Sequence, residues 1–378
     1  MPKSLPLLLL AIVACKSGTP GAVAKAVPKG DIPIFATMAR DEDLARADAW
    51  DVFARYDLLL VTKTPGTVAP LRLRNPKIVI LAHVNPYFAL GAPLWPDHAY
   101  EPESKEPTWV LRDAAGAPIK YHGPLYPGMD PARLPTLMDV RVLAWQEHFL
   151  RTVSDIVRAE GLDGVFLDTL TETYPEFART RSGAACRDFD PVAWKGAAHE
   201  FLARTRKSFP APLKIVFNGL SLAPGTGGDG DLGFLSECDG ASYEAFGIAW
   251  PLEQDSATKR WYFTHAIQTA MVRARDAKKL FLLQVTGDED DEQLRLYALC
   301  AFLLQKYEGA YFYMSRTEGE PRWYPEWGTR LSAGLSEARE ENGLWRRDYE
   351  GGTVWLNPSS ADVGGMRPFS GRIVPVVR

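Results

Sequence analysis

Between positions 32 and 314 the chain repeats one pattern: a short run of β-branched and other apolar residues, then a stretch with helical spacing. The runs cover 32–36, 58–62, 78–83, 164–168, 214–218, 240–243, 280–285 and 310–314. Most are apolar at nearly every position rather than at alternate ones, as parallel strands covered on both faces require. Between several of them apolar residues recur three and four apart. The clearest stripe is Val142, Trp145, Phe149, Val153, Ile156 and Val157, and it stops at Gly161, a natural helix end. Further helical stretches cover 192–209, 258–277 and 292–306. Eight strands alternating with helices predict an α/β fold, a (β/α)8 TIM barrel over 31–335. A doubly wound open sheet normally has fewer strands and a nucleotide fingerprint, and neither GxGxxG nor GxxxxGK[ST] occurs.

The third strand-to-helix connection, 84–140, is unusually long and carries its own hairpin signal at 109–119. Long loops in compact domains are usually functional, and this one belongs to the C-terminal face of the barrel, where barrel active sites lie. After the eighth strand the pattern changes: 344–349, a turn at 350–352, and 353–357 read as a β-hairpin, which 372–377 extends into a small C-terminal β-module over 336–378. No internal repeat is evident.

The N-terminus reads differently. Lys3 precedes an apolar run from position 5 to 14, bent by Pro6 and far shorter than the ~20 residues that span a bilayer. Residues 1–14 therefore read as a signal peptide. The run ends in Ile12-Val13-Ala14-Cys15, which resembles a bacterial lipobox, with Cys15 as the lipidated first residue of the mature chain. Lys16 rather than Asp follows, which implies the outer membrane over the inner. Residues 15–30 are rich in Gly, Ala, Pro and Lys and read as a flexible tether. The expected location is the cell envelope, with membrane contact through the lipid anchor only.

Composition narrows the chemistry. A net charge of −4 advertises no basic surface, so no nucleic-acid partner is expected. Beyond Cys15 three cysteines remain, so at least one is unpaired; Cys300 sits in an apolar helical stretch, and a Cys186–Cys238 bridge stays open. No CxxC, no HExxH and no zinc spacing occurs, and the Asp229 to Asp231 segment lacks the full calcium-loop pattern, so neither metal nor cofactor is expected.

Polar residues collect where strands should end. The fourth strand runs Gly164-Val165-Phe166-Leu167 straight into Asp168, and the sixth runs Gly240-Ala241-Ser242-Tyr243 into Glu244. A charge at the end of a buried strand is costly unless paired or solvated. Two strands apart on a barrel mouth, Asp168 and Glu244 could face one cavity, the minimum set for glycoside hydrolysis. Asp168 ends a central, rigid strand and suits a nucleophile; Glu244 opens a loop with Phe246 and Trp250 and suits an acid/base. The third strand ends near His83, Asn85 and Tyr87, the fifth in Asn218, the seventh near Gln284 and the eighth near Tyr313. Asn85, Tyr87, Asn218, Tyr243, Gln284 and Tyr313 are candidate substrate contacts. Trp250 and Trp323, in loops, are candidate platforms for sugar rings.

Those strand ends, with Phe217-Asn218-Gly219 and the closing stretch from Trp345 to Pro358, resemble a group of uncharacterised bacterial glycoside hydrolases with TIM-barrel folds. That group is distantly similar to endo-α-1,4-polygalactosaminidases. The resemblance implies the barrel, a polysaccharide or oligosaccharide substrate, and Asp168 and Glu244 as the catalytic pair of a retaining enzyme. The competing reading is a carbohydrate-binding lipoprotein that uses the same barrel without cleaving. The acidic run 288–292 precedes a helix, whose N-terminus favours negative charge; the other reading is a negative rim for a cationic polymer. Mass spectrometry of membrane-extracted protein is expected to find Cys15 carrying a diacylglyceryl group, and a mature N-terminus elsewhere would overturn the lipobox reading.

Overall fold

A computed structural model describes residues 29–39, 49–62, 68–89, 105–121, 134–170, 186–220, 234–244, 257–288, 290–315 and 322–376. Cys15, residues 1–28, the Asp229–Asp231 segment, Phe246 and Trp250 lie outside them. Eight parallel strands pair in sequence order: β1 (Phe35–Ala39), β2 (Leu58–Val61), β3 (Val79–Val84), β4 (Gly164–Leu167), β5 (Lys214–Asn218), β6 (Gly240–Tyr243), β7 (Leu280–Thr286) and β8 (Ala310–Ser315). A parallel bridge between Ile34 and Phe312 brings the last strand back to the first. Helices α1 (Ala49–Phe53), α2 (Val68–Arg74), α3 (Leu143–Glu160), α4 (Pro191–Ser208), α5 (Ala257–Asp276) and α6 (Glu292–Gln305) alternate with the strands, so the fold is a (β/α)8 TIM barrel.

The first strand begins three residues later than its apolar run suggests. Pro33 has no N–H to give a ladder, and Ile34 bridges to Phe312 and bonds Asp57 ahead of β2; the register with β2 starts at Phe35 opposite Leu58. A register shift between Ala36 and Ala39 then carries β1 further toward the mouth. At the other margin Lys29, counted with the tether, ion-pairs with Asp57, and Gly30 packs so tightly on the backbone of Trp327 to Thr329 that no Cβ fits.

The base of the barrel carries a repeating device that the sequence does not advertise. Asp57, Asp163 and Asp239 each stand one residue before an even-numbered strand. Their carboxylates accept the backbone N–H of Ile34, Ile80 and Ile215, at 2.9, 2.8 and 2.8 Å, on the preceding odd strand. Each also meets a cation: Lys29, Arg72 of α2 and Arg206 of α4. Their backbones bond the same isoleucines and hand the ladder on to Val79, Lys214 and Leu280. Gly164 and Gly240 follow two of these aspartates because a Cβ would run into Lys214 and Leu280. The device sets strand register in three successive pairs.

The long third connection folds as small antiparallel bridges, Phe88 to Leu137, Val110 to Met138, Arg112 to Pro118 and Lys120 to Thr136. It is stitched to the next connection by the bridge between Asp113 and Cys186 and by Arg187 N–H donating to Arg112 O at 2.8 Å. Cys186 and Cys238 are free thiols, so the open disulfide is not made. Cys238 is buried beneath β6, and burial pushes its thiol well up.

The C-terminal β-module is a four-stranded antiparallel sheet: β9 (Arg339–Glu341), β10 (Leu344–Tyr349), β11 (Gly352–Asn357) and β12 (Ser370–Pro375), in the order β12-β11-β10-β9. It packs on α6. Arg347 donates to the carbonyls of Leu303, Leu304 and Lys306, capping the helix, and Tyr349 OH donates to Leu303 O. The acidic run before α6 serves its N-terminus: Asp291 accepts Leu294 N–H at 3.1 Å.

Asp239→Ala removes the acceptor of a half-buried guanidinium and of a strand N–H together. Urea denaturation is expected to show a loss of roughly 1.5–3 kcal/mol, against little change for a surface control such as Glu340→Ala.

Candidate active site

Contacts between strands establish which residues face the barrel interior. The ring of Tyr313 packs on Phe35 at 5.4 Å inside, whereas Phe312 meets Phe302 of α6 and Trp327 outside. Alternation then turns His83, Phe166, Asp168, Asn218, Ser242, Glu244 and Gln284 inward.

Asn218, the last residue of β5, organises the mouth. Its Nδ2 donates to Asp168 Oδ1 at 2.9 Å and to Glu244 Oε1 at 2.7 Å. One amide thus touches both carboxylates predicted as the catalytic pair. The nearer oxygens of the two carboxylates are thereby brought within one amide's reach of each other.

Asp168 is held on every side. Its backbone N–H continues the ladder to Val84 O at 2.8 Å. From β3, His83 Nε2 lies 3.6 Å and Asn85 Nδ2 3.4 Å from Oδ2. Asn85 also donates to Thr169 Oγ1 at 3.0 Å and accepts Tyr87 N–H at 2.9 Å. Thr169 takes a left-handed φ of 58°, a costly conformation for a β-branched residue that persists only where its surroundings impose it. Burial alone would raise the Asp168 carboxyl. The His83 ring, the Asn218 amide and the Thr169 hydroxyl outweigh it and hold that carboxyl below the ordinary carboxylate range. Glu244, by contrast, is exposed.

The other predicted contacts fall in different places. Asn85 and Asn218 spend their amides on the carboxylates. Gln284 is buried on β7 opposite Tyr313 of β8, both inward. Tyr87 is a correction: it is fully buried and packs on Trp194 of α4 at 5.2 Å, because the chain turns outward after Asn85. Tyr243 is another, since alternation from Ser242 and Glu244 turns it to the outer layer, where burial pushes its phenol up to about 12. Trp323 is a third. It stands edge-on to Tyr56 and Trp327, with Arg55 over its ring at 5.6 Å, so it is half-buried as a brace of the loop after β8. Trp250 lies outside the described residues.

His83 was legible as a polar residue at a strand end but not as a partner of Asp168. The buried inward hydroxyls of Thr37, Thr62 and Ser242 gave no signal, because isolated Thr and Ser in apolar runs read as strand formers. Among the described residues no three His, Cys, Asp or Glu side chains come together as metal ligands would.

A family model described as hypothetical glycosyl hydrolase family 15 matches residues 72–353. No curated protein matches the sequence. Among solved structures, the chain is similar to a dextranase of Flavobacterium johnsoniae complexed with isomaltotriose, with a TM-score of 0.50 at 9% identity over 78% of this chain and 37% of that one. It is similar to an α-galactosidase from Lactobacillus brevis, with a TM-score of 0.46 at 10% identity over 86% and 45%. It is also similar to a noncanonic maltogenic α-amylase from Thermotoga neapolitana, with a TM-score of 0.46 at 10% identity over 86% and 85%. The chain spans less than half the length of the first solved structures it matches. At these identities the likeness speaks to the fold.

The lowered Asp168 carboxyl has a thermodynamic signature. Its ionised form stabilises the native state above the ordinary Asp range near ~4, and that contribution is lost as pH falls through the lower folded value. Asp168→Asn has no such term. In urea denaturation from about pH 7 to about pH 3, the wild type is expected to lose stability relative to Asp168→Asn. A difference independent of pH would show that the carboxyl is not held as described.

Proposed function

Because the chain belongs to hypothetical glycosyl hydrolase family 15, we propose that it hydrolyses an O-glycosidic bond of a polysaccharide or oligosaccharide with Asp168 and Glu244 as its two carboxylates. The observation that carries this reading is the single Asn218 amide within hydrogen-bond distance of both. Binding a glycan does not require two carboxylates brought so close, whereas displacement at an anomeric carbon commonly uses such a pair.

The short spacing favours retention over inversion, since inverting pairs stand ~6.5–9.5 Å apart to admit a water and retaining pairs ~5–5.5 Å. In the first step Asp168 attacks the anomeric carbon while Glu244 gives its proton to the departing glycosidic oxygen. Asp168 becomes an ester and the aglycone leaves as an alcohol. In the second step Glu244 takes a proton from water, whose oxygen displaces Asp168 from the same carbon. The sugar leaves as a hemiacetal and both side chains return to their starting states. The division of roles follows from how each group is held. A nucleophile needs fixed geometry and an ionised carboxylate, and Asp168 has both. An acid/base exchanges protons with departing alcohol and arriving water, and Glu244 is exposed at the start of a loop.

The lipobox at Cys15 supports a site of action at the cell envelope, with the tether giving the barrel reach to a polymer. The distant similarity to endo-α-1,4-polygalactosaminidases makes amino-sugar polymers a first group to try.

A glycan panel and aryl glycosides tested on protein starting near Lys29 should identify a cleaved substrate. On it, Asp168→Asn is expected to abolish turnover. Glu244→Gln should lose ~10²–10⁴-fold on poor leaving groups and little on activated aryl ones. Azide should partly restore Glu244→Ala by attacking the glycosyl-enzyme without base help. Wild-type activity in Asp168→Asn would overturn the mechanism, and binding of several glycans without cleavage would favour the carbohydrate-binding alternative.

A further inference from the structure

The recurrent aspartates at the barrel base number the mouth as well. Counting five residues up from Asp57, Asp163 and Asp239 reaches Thr62, Asp168 and Glu244. Counting three residues up from the isoleucines that those aspartates bind, Ile34, Ile80 and Ile215, reaches Thr37, His83 and Asn218. His83 therefore holds on β3 the place that Asn218 holds on β5. Each stands on an odd strand, inward, next to the even strand that carries Asp168.

The contacts follow that equivalence. Asn218 takes Oδ1 of Asp168 from one side, and His83 Nε2 faces Oδ2 from the other at 3.6 Å. The imidazole has little freedom. It is 3% exposed and stands edge-on to Phe166, two residues below Asp168 on β4, with ring centroids 5.0 Å apart. The groups facing Asp168 are His83 and Asn85 from β3, Thr169 from its own strand end, Asn218 from β5 and, across Asn218, the Glu244 carboxylate from β6. His83 is the one member of that set able to bring positive charge.

We infer that His83 is a positioning residue for Asp168: its Nε2 side holds Oδ2, so that the carboxylate stays in one orientation for attack. This rests on the reading of Asp168 as nucleophile. A 3.6 Å approach is long for a hydrogen bond, and catalytic hydrogen bonds commonly tighten when substrate arrives. Misplacing a reacting atom by about 1 Å costs on the order of 10²-fold in rate.

Two substitutions separate this role from mere packing. His83→Phe keeps a ring against Phe166 and removes every N–H. His83→Gln loses the ring and keeps a donor near the Nε2 position. Kinetics on whichever 4-nitrophenyl glycoside the wild type cleaves, with thermal unfolding of each variant, should show His83→Phe as the more stable and His83→Gln as the more active. The expected loss in kcat is ~10–100-fold for His83→Phe with KM little changed, and its acid limb should move to higher pH as Asp168 loses its partner. Equal activity in the two, or an order that follows stability, would overturn the inference. If the wild type cleaves nothing, the function proposed above fails, and the pair is judged separately by ¹⁵N NMR. The His83 imidazole resonances should shift between wild type and Asp168→Asn, and unchanged resonances would overturn the pairing. The same measurement decides the matter if His83→Phe does not fold.

Discussion

Two carboxylates that share one amide repel each other. At ~4 Å and an effective dielectric of ~20, two unit charges cost roughly 4 kcal/mol, a large part of the net stability of an ordinary domain. A proton kept on Glu244, as its acid role requires, removes that repulsion; whenever both groups are ionised, the surrounding structure must resist it. Asn218 contributes an N–H to each charge, and His83, Asn85 and Thr169 surround the inner carboxylate. None of these could act from flexible loops. All stand on or shortly after strands that Asp57, Asp163 and Asp239 tie together at the opposite end of the barrel, so the base adds to the strand ladders that hold the carboxylates at the mouth.

The two acids are held unequally. Asp168 is tied through its backbone to β3 and through its side chain to both flanking strands, and the residue after it carries backbone strain. Glu244 has the Asn218 contact and an exposed side chain. Constraint of this kind lowers the freedom of one group to lose its ionised state and leaves the other in touch with solvent, where protons come and go.

The barrel and the pair at its mouth were legible because both rest on local pattern. Continuous apolar runs mark strands buried on both faces, and a carboxylate ending such a run is conspicuous. What stayed hidden depends on contacts between distant segments. Asn218 looked like a sugar contact, and only the approach of β4 and β6 shows its amide spent on the two carboxylates. Tyr87, Tyr243 and Trp323 looked like site residues because they lie near strand ends, yet which way a side chain points there depends on register and on the turn that follows. The three base aspartates escaped notice because their role lies in hydrogen bonds to isoleucines on other strands, which the Asp-Gly pair shared by 163–164 and 239–240 does not reveal.

Helix α6 is apolar around its whole circumference: the eight consecutive residues from Tyr297 to Leu304 are all buried. A barrel helix ordinarily shows one face to water. Here the outer sheet covers the other face, so closely that Gly371 leaves no room for a Cβ beside Leu296 and Cys300. The match to the family model ends at residue 353, one residue into the run from Thr353 to Asn357 that pairs with both its neighbours in the sheet. Likeness of sequence and physical integrity therefore part company at this edge. A fragment cut where that match stops would keep every residue of the barrel and the mouth, yet strip from the greasy helix the cover of β12 and most of β11. The last strands lie past that match, yet they serve as the barrel's outer skin.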